Sequence, residues 1–393
     1  MRRHWIALAA LAWASILGAQ NRYKVDINAE TPEGKLLQDI GTEQDHAKRL
    51  PLIADFMAKH ASHAGAPWAL GQSVRSAKEV KQHDAVLQAA EKLVAMDAAD
   101  VEMAYTGLEA AVAKKDADLT IKWAGIVQAA GKKALASPEP KDEEELERWK
   151  YRKQFSGSDQ APKRAEYELM AGALNSQDPA LRVKYSEALA ALNPQSEYLG
   201  QTRPLQFMAY RQLNQNDQAL AFASAQLAAG TADEDMILML LNNAWEKKDA
   251  AGVEKYADTL TAYLGPKAAP SGADPAAWQK KKTDSLGAAL FLKGMIMAGQ
   301  SKWKETDVTL REALPHLEGK DEMRGHALFN LGLANYRMGK LNDALLFNSQ
   351  CATIKGPNQA QAVKNVAVIR QQGGVLPGAA AAPAAKKAGA RKK

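Results

Sequence analysis

The chain has few of the residues that cross-link or brace a fold. Its single cysteine, Cys351, can form no internal disulfide, so 393 residues must be held together by side-chain packing. Aromatic residues make up only 6%, which argues against a core built on large rings. Val, Ile and Thr never gather into the alternating runs that a half-buried strand needs, and no β-sheet is expected. After the N-terminal segment, no apolar run approaches the roughly 20 residues of a membrane-spanning helix. Stable membrane insertion of the rest of the chain is therefore not expected.

The usual marks of catalysis are missing too. There is no phosphate-cradling glycine loop, nucleophile elbow or zinc-protease helix. Gly71-Gln72-Ser73 opens like a glycine-flanked serine site, but Arg75 stands where the second glycine belongs, and Ser156-Gly157-Ser158 reads as a plain loop. His60 and His63 lie around a helix end with no Cys or paired carboxylate nearby, which favours a solvated loop over a metal site. No catalytic residue, cofactor or metal is expected.

The formal charge of +6 suggests nucleic acid until its location is considered. Arg2 and Arg3 sit at the extreme N-terminus, and Lys386, Lys387, Arg391, Lys392 and Lys393 at the extreme C-terminus. Setting these aside leaves the body at −1. A near-neutral body has no broad footprint for phosphate, so nucleic acid is not expected as a partner.

What the sequence does have is alanine in almost every segment, and apolar residues at three- and four-residue spacing from Thr31 to about Gln372. Alanine is the best helix former and packs closely, so stacked helices follow. Breaks at Gly, Pro, Asn and Asp divide the stretch into helix, short turn, helix. Arg2 and Arg3 followed by the apolar stretch Trp5 to Leu17 and the small Gly18 and Ala19 read as a secretory signal. The expected organisation is a signal over 1–19, a linker over 20–30, helix pairs over 31–264, and a Pro/Gly-rich linker over 265–275. Helix pairs with a capping helix then fill 276–372. The Ala/Pro/Lys tail, 373–393, offers almost nothing to bury and is expected to be disordered. The acidic run Asp142-Glu143-Glu144-Glu145 suits a helix start, with Glu144 one turn before Arg148.

One stretch carries more information than the rest. Leu328-Phe329-Asn330-Leu331-Gly332-Leu333-Ala334-Asn335-Tyr336-Arg337-Met338-Gly339-Lys340-Leu341-Asn342-Asp343-Ala344-Leu345 closely resembles the tetratricopeptide (TPR) repeat, a pair of antiparallel helices recurring about every 34 residues. Gly332 and Ala344 are small where the two helices cross, and Gly339 gives the first helix a left-handed cap. Leu331, Tyr336 and Phe347 are expected to fill the space between neighbouring pairs. The usual Trp position holds Leu328, the usual Tyr position holds Asn335, and the closing Pro357 comes a residue late. A weaker copy lies upstream, with Gly294 at the small position and Thr306 and Ala313 in the second helix; Gly294 and Gly332 are 38 residues apart.

The resemblance implies an all-α, TPR-like superhelix of stacked antiparallel helix pairs. It also implies a scaffold that binds protein or peptide through the first helices of its pairs. The opening Thr31-Pro32-Glu33-Gly34-Lys35 and the Gln350-Cys351-Ala352 ending look like those of exported bacterial TPR proteins of undefined role, so a periplasmic or secreted location is expected. The alternative is a structural component of a cell-envelope complex handling pili, polysaccharide or outer-membrane proteins; an enzyme comes third. At the family's recognition positions stand Phe291 and Met295 in one repeat, Phe329 and Leu333 in the next, with Tyr336 and Arg337 at the edge. Such a set argues against capture of a terminal carboxylate. It suits an apolar groove, or else packing against the linker or the terminal helix.

Overall fold

The computed structural model describes residues 25, 27–157, 160–270 and 272–376. The expected secretory signal and the tail beyond Leu376 lie outside them. The described residues form α-helices joined by short turns, with no strand among them. By packing, the chain divides into two units, one ending at Gln215 and one beginning at Asn216.

The first unit holds α1 (Pro32–Thr42), α2 (His46–His60), α3 (Ala66–Glu79), α4 (His83–Met96), α5 (Val101–Ala113), α6 (Ala117–Ala136), α7 (Glu143–Phe155), α8 (Ala161–Asn175), α9 (Pro179–Leu192) and α10 (Leu199–Gln212). The second holds α11 (Asn216–Ala228), α12 (Glu234–Glu246), α13 (Ala250–Leu264), α14 (Pro275–Gly299), α15 (Trp303–Ala313), a 3₁₀ turn (Leu314–Leu317), α16 (Asp321–Arg337), α17 (Leu341–Cys351) and α18 (Gln359–Gln371). Within each unit, helices pack mainly on their sequence neighbours, as TPR-like pairs do.

Local sequence sets most helix starts. The side chains of Asp45, Asp100, Asp116 and Asp178 accept the backbone N–H groups that begin their helices in the first unit, and Asp233, Asp249 and Asp274 do so in the second. Each such cap is worth about 1 kcal/mol. Proline stands in the first turn of α1, α3, α8, α9 and α14, where its missing N–H costs nothing.

The ends of the first helices repeat a single geometry. Lys81, Lys115, Asn214, Lys248, Ser301 and Gly339 all have φ between 56° and 73°. The N–H after each reaches back to the carbonyl four residues before that left-handed residue, as in Lys340 to Asn335 at 2.9 Å and Asp249 to Ala244 at 2.9 Å. Lys81 and Lys115 are 34 residues apart, and so are Asn214 and Lys248. Ser301 and Gly339 are 38 apart, matching the spacing of Gly294 and Gly332.

Small residues let paired helices close. A Cβ on Gly332 would collide with the Asn348 amide, and one on Gly107 would collide with the fully buried Trp123 ring. Leu331 and Phe347 lie in the core of the second unit as the repeat pattern requires, and Thr306, Ala313 and Ala344 are fully buried. At the end, Ile369 of α18 covers Ala344 and Leu345.

Two segments depart from simple alternation. Helix α6 packs directly on α8, and the intervening α7 lies beside them against α5 and α6. It is tied down by Trp149 Nε1 to the Ser137 carbonyl at 3.1 Å, by Arg152 to Asp97 at 2.7 Å, and by Lys153 to the Leu135 carbonyl. Asp142 caps its start at the Glu145 N–H, and Lys150 pairs with Glu147; the Glu144 side chain lies outside the described atoms. In the second unit, Lys282 holds the carbonyls of Gly265 and Lys267, and the Lys267 ammonium sits 3.9 Å from the Tyr263 ring centroid. The start of the Pro/Gly-rich stretch is thereby bound to α13 and α14.

Candidate functional site

Side chains four apart on a helix share a face, so Phe291 and Met295 align on α14, and Phe329 and Leu333 on α16. The two helices touch. Phe291 is only 9% exposed and belongs to the core, supporting the face from beneath. Met295 and Phe329 are half-buried against that same core, and Leu333 is half-buried. The Asn330 amide bridges the helices, 3.4 Å from Met295 Sδ and 2.9 Å from the His326 carbonyl. Met295, Phe329 and Leu333 carry no nucleophile or acid–base group. Their chemistry is apolar contact.

Tyr336 does not fill the space between pairs as expected. It is 37% exposed, and its hydroxyl accepts from Gln372 Nε2 at 3.1 Å, at the end of α18. Arg337, the last residue of α16, is exposed beside it. The reason is register: the position facing the neighbouring pair belongs to Asn335, which is fully buried. Asn335 Nδ2 donates to Asp307 Oδ1 at 2.7 Å and to the Leu331 carbonyl at 2.9 Å. Arg311 joins the same group, 2.7 Å from Asp307 and 2.8 Å from Asp343, with its guanidinium 4.6 Å from the Phe347 ring centroid. Burial pushes the Asp307 carboxyl up, but the Asn335 amide, Arg311 and Lys340 together outweigh it and hold the group below its ordinary value. A polar link of this kind had no signal in the sequence beyond an asparagine standing where the repeat usually has tyrosine.

The other candidates have structural explanations. His60 and His63 both pack on Phe56, with centroids 5.5 and 5.8 Å away, and His63 Nδ1 accepts the Gly65 N–H at 2.9 Å. They brace a helix end, correcting the expectation of a solvated loop. Cys351 is buried, its Sγ 3.4 Å from the Gly325 carbonyl, and burial pushes its thiol up, away from the reactive thiolate. Among the described residues, no three His, Cys, Asp or Glu side chains gather as a metal site, and no helix is long and apolar enough to cross a membrane.

No family model and no curated protein matches the chain. Among solved structures, the TPR domain of P58(IPK) aligns over 87% of this chain and 98% of that one, at 11% identity and a TM-score of 0.24. A score that low carries no weight for fold or role, so the repeat assignment rests on the chain's own helix pairs, crossing glycine and recurring turns.

Proposed function

We propose that the chain is an exported scaffold that binds a protein or peptide through the first helices of its last two repeats. The observation that carries this is the row of half-buried apolar side chains on α14 and α16, Met295, Phe329 and Leu333, with Tyr336 and Arg337 at its edge. The partner would place an apolar side chain over Phe329, and Arg337 would hold a carbonyl or carboxylate at the rim. Phe291 supports the surface and is not itself touched.

The test is a single variant read two ways. Phe329→Ala should weaken capture of the partner, isolated by crosslinking and pull-down from envelope extract, by about 2 kcal/mol or more, as loss of a central aromatic anchor does. Its thermal stability should fall by less. A variant that loses about 3–5 kcal/mol of stability, while its folded fraction binds normally, would make Phe329 a core residue and end the proposal. Export has its own test: mass spectrometry of envelope material should find a mature N-terminus near Gln20. An intact Met1 confined to the cytosol would refute that part.

A further inference from the structure

The chain's scarce aromatic residues are not spread evenly. In the first unit, Tyr151 and Phe155 of α7 stack with centroids 5.9 Å apart and planes 8° apart, and Tyr105 of α5 meets Phe155 edge-on at 5.6 Å. On α8, Tyr167 packs against Tyr198 at 6.1 Å, with the Arg164 guanidinium 5.3 Å from its ring centroid. Helix α5 touches both α7 and α8, so the two ring groups form one ledge across the three helices. Tyr151 is 44% exposed and Tyr167 41%. Helix α7 supplies two of the rings, and it is the one helix outside the pairwise alternation of this unit.

The charges around the ledge are already matched. Arg164 binds Glu168 at 3.0 Å, Arg152 binds Asp97, Lys163 binds Glu197 at 2.8 Å, and Lys78 binds Glu109 at 3.1 Å. A charged occupant would have to break one of these pairs; a neutral one would not. The phenol hydroxyls of Tyr105 and Tyr167 hydrogen-bond to no partner among the described residues. The ledge thus offers flat apolar faces and hydroxyl donors, while its carboxylate acceptors are engaged. A polyproline-type chain is complementary to that set. Its rings stack on aromatic faces, its carbonyls are free because the helix has no internal hydrogen bonds, and it carries few N–H groups that need an acceptor.

We propose that this ledge is a second binding surface, separate from the face on α14 and α16, and that it takes an uncharged proline-rich segment of a partner protein. Isothermal titration of the full chain with capped octaproline, and with a capped glycine–serine peptide of equal length, tests it. Octaproline should bind at least about tenfold more tightly than the control, and Tyr167→Ala should weaken it by about tenfold, the worth of one aromatic anchor. Tyr167→Phe should fall between the two, keeping the ring and losing the donor. Phe329→Ala should leave octaproline binding unchanged, so failure here and failure of the proposed function can be told apart. Circular dichroism showing the same melting temperature for Tyr167→Ala and the parent confirms that any loss is local. If octaproline binds no better than the control, or binds Tyr167→Ala as well as the parent, the proposal is wrong.

Discussion

Lys81, Lys115 and Lys248 occupy a left-handed backbone conformation that costs a side chain bearing a Cβ about 1–2 kcal/mol. Gly339 meets the same need without that cost. Part of the gain from glycine is returned by its freedom in the unfolded chain, roughly 0.5–1 kcal/mol. Lys115→Gly and Lys248→Gly should therefore each stabilise the protein by about 0.5–1 kcal/mol in thermal or urea unfolding; a loss of stability in both would contradict the turn geometry. Asp307 supports a second prediction. A carboxyl whose folded pKa is depressed adds stability above its unfolded value of about 3.9, and that stability is lost as pH falls through the lower folded value. Asp307→Ala leaves Asn335 and Arg311 without their shared acceptor and should cost about 2–3 kcal/mol at pH 7. The gap from the parent should narrow as pH drops below about 4, measured by urea unfolding across pH. A gap that stays constant would mean that the carboxylate's charge contributes nothing.

At the level of helices, the crossing in the final pair leaves no room for a Cβ, as do the crossings at Gly107 and Gly294. Gly332→Leu forces a branched side chain into the Asn348 amide and should destabilise that pair by about 1–3 kcal/mol or more, visible as early hydrogen exchange in α16 and α17. Unchanged protection there would show that the crossing accommodates the larger side chain. The helices themselves were readable from sequence because aspartate caps, first-turn prolines and apolar spacing agree with one another. The lysines at left-handed turns were not, since lysine gives no hint of that conformation. The same limit applies to the candidate face. An apolar residue at helical spacing fits core and surface equally, so Phe291 and Phe329 looked alike, and only burial separates the support from the exposed layer. Tyr336 was misplaced for a different reason: a one-residue shift along a helix turns a side chain by about 100°, enough to exchange an inter-pair position for a rim.

For the whole molecule, contacts made mostly between sequence neighbours limit cooperativity. The two units have separate hydrophobic cores, one around Trp123 and one around Leu331 and Phe347. Urea unfolding followed by circular dichroism and by tryptophan fluorescence should not coincide, and the apparent m-value should fall below that of a single cooperative unit of this size. One coincident transition with a full-size m-value would refute this. Removing residues 377–393, which contain only Gly, Ala, Pro, Lys and Arg, should leave the melting temperature unchanged. A clear drop would show that the tail docks.

Helix α7 has a consequence for parity. A solenoid of helix pairs keeps inner and outer helices in strict alternation, and one additional helix threaded into the stack would swap those roles for every element after it. Because α6 meets α8 directly, α7 is a side branch, and α8 opens the next pair as though nothing had been inserted. A short linker from Ala136 to Ala161 would leave that count intact, and what the chain would lose is one wall of its aromatic ledge.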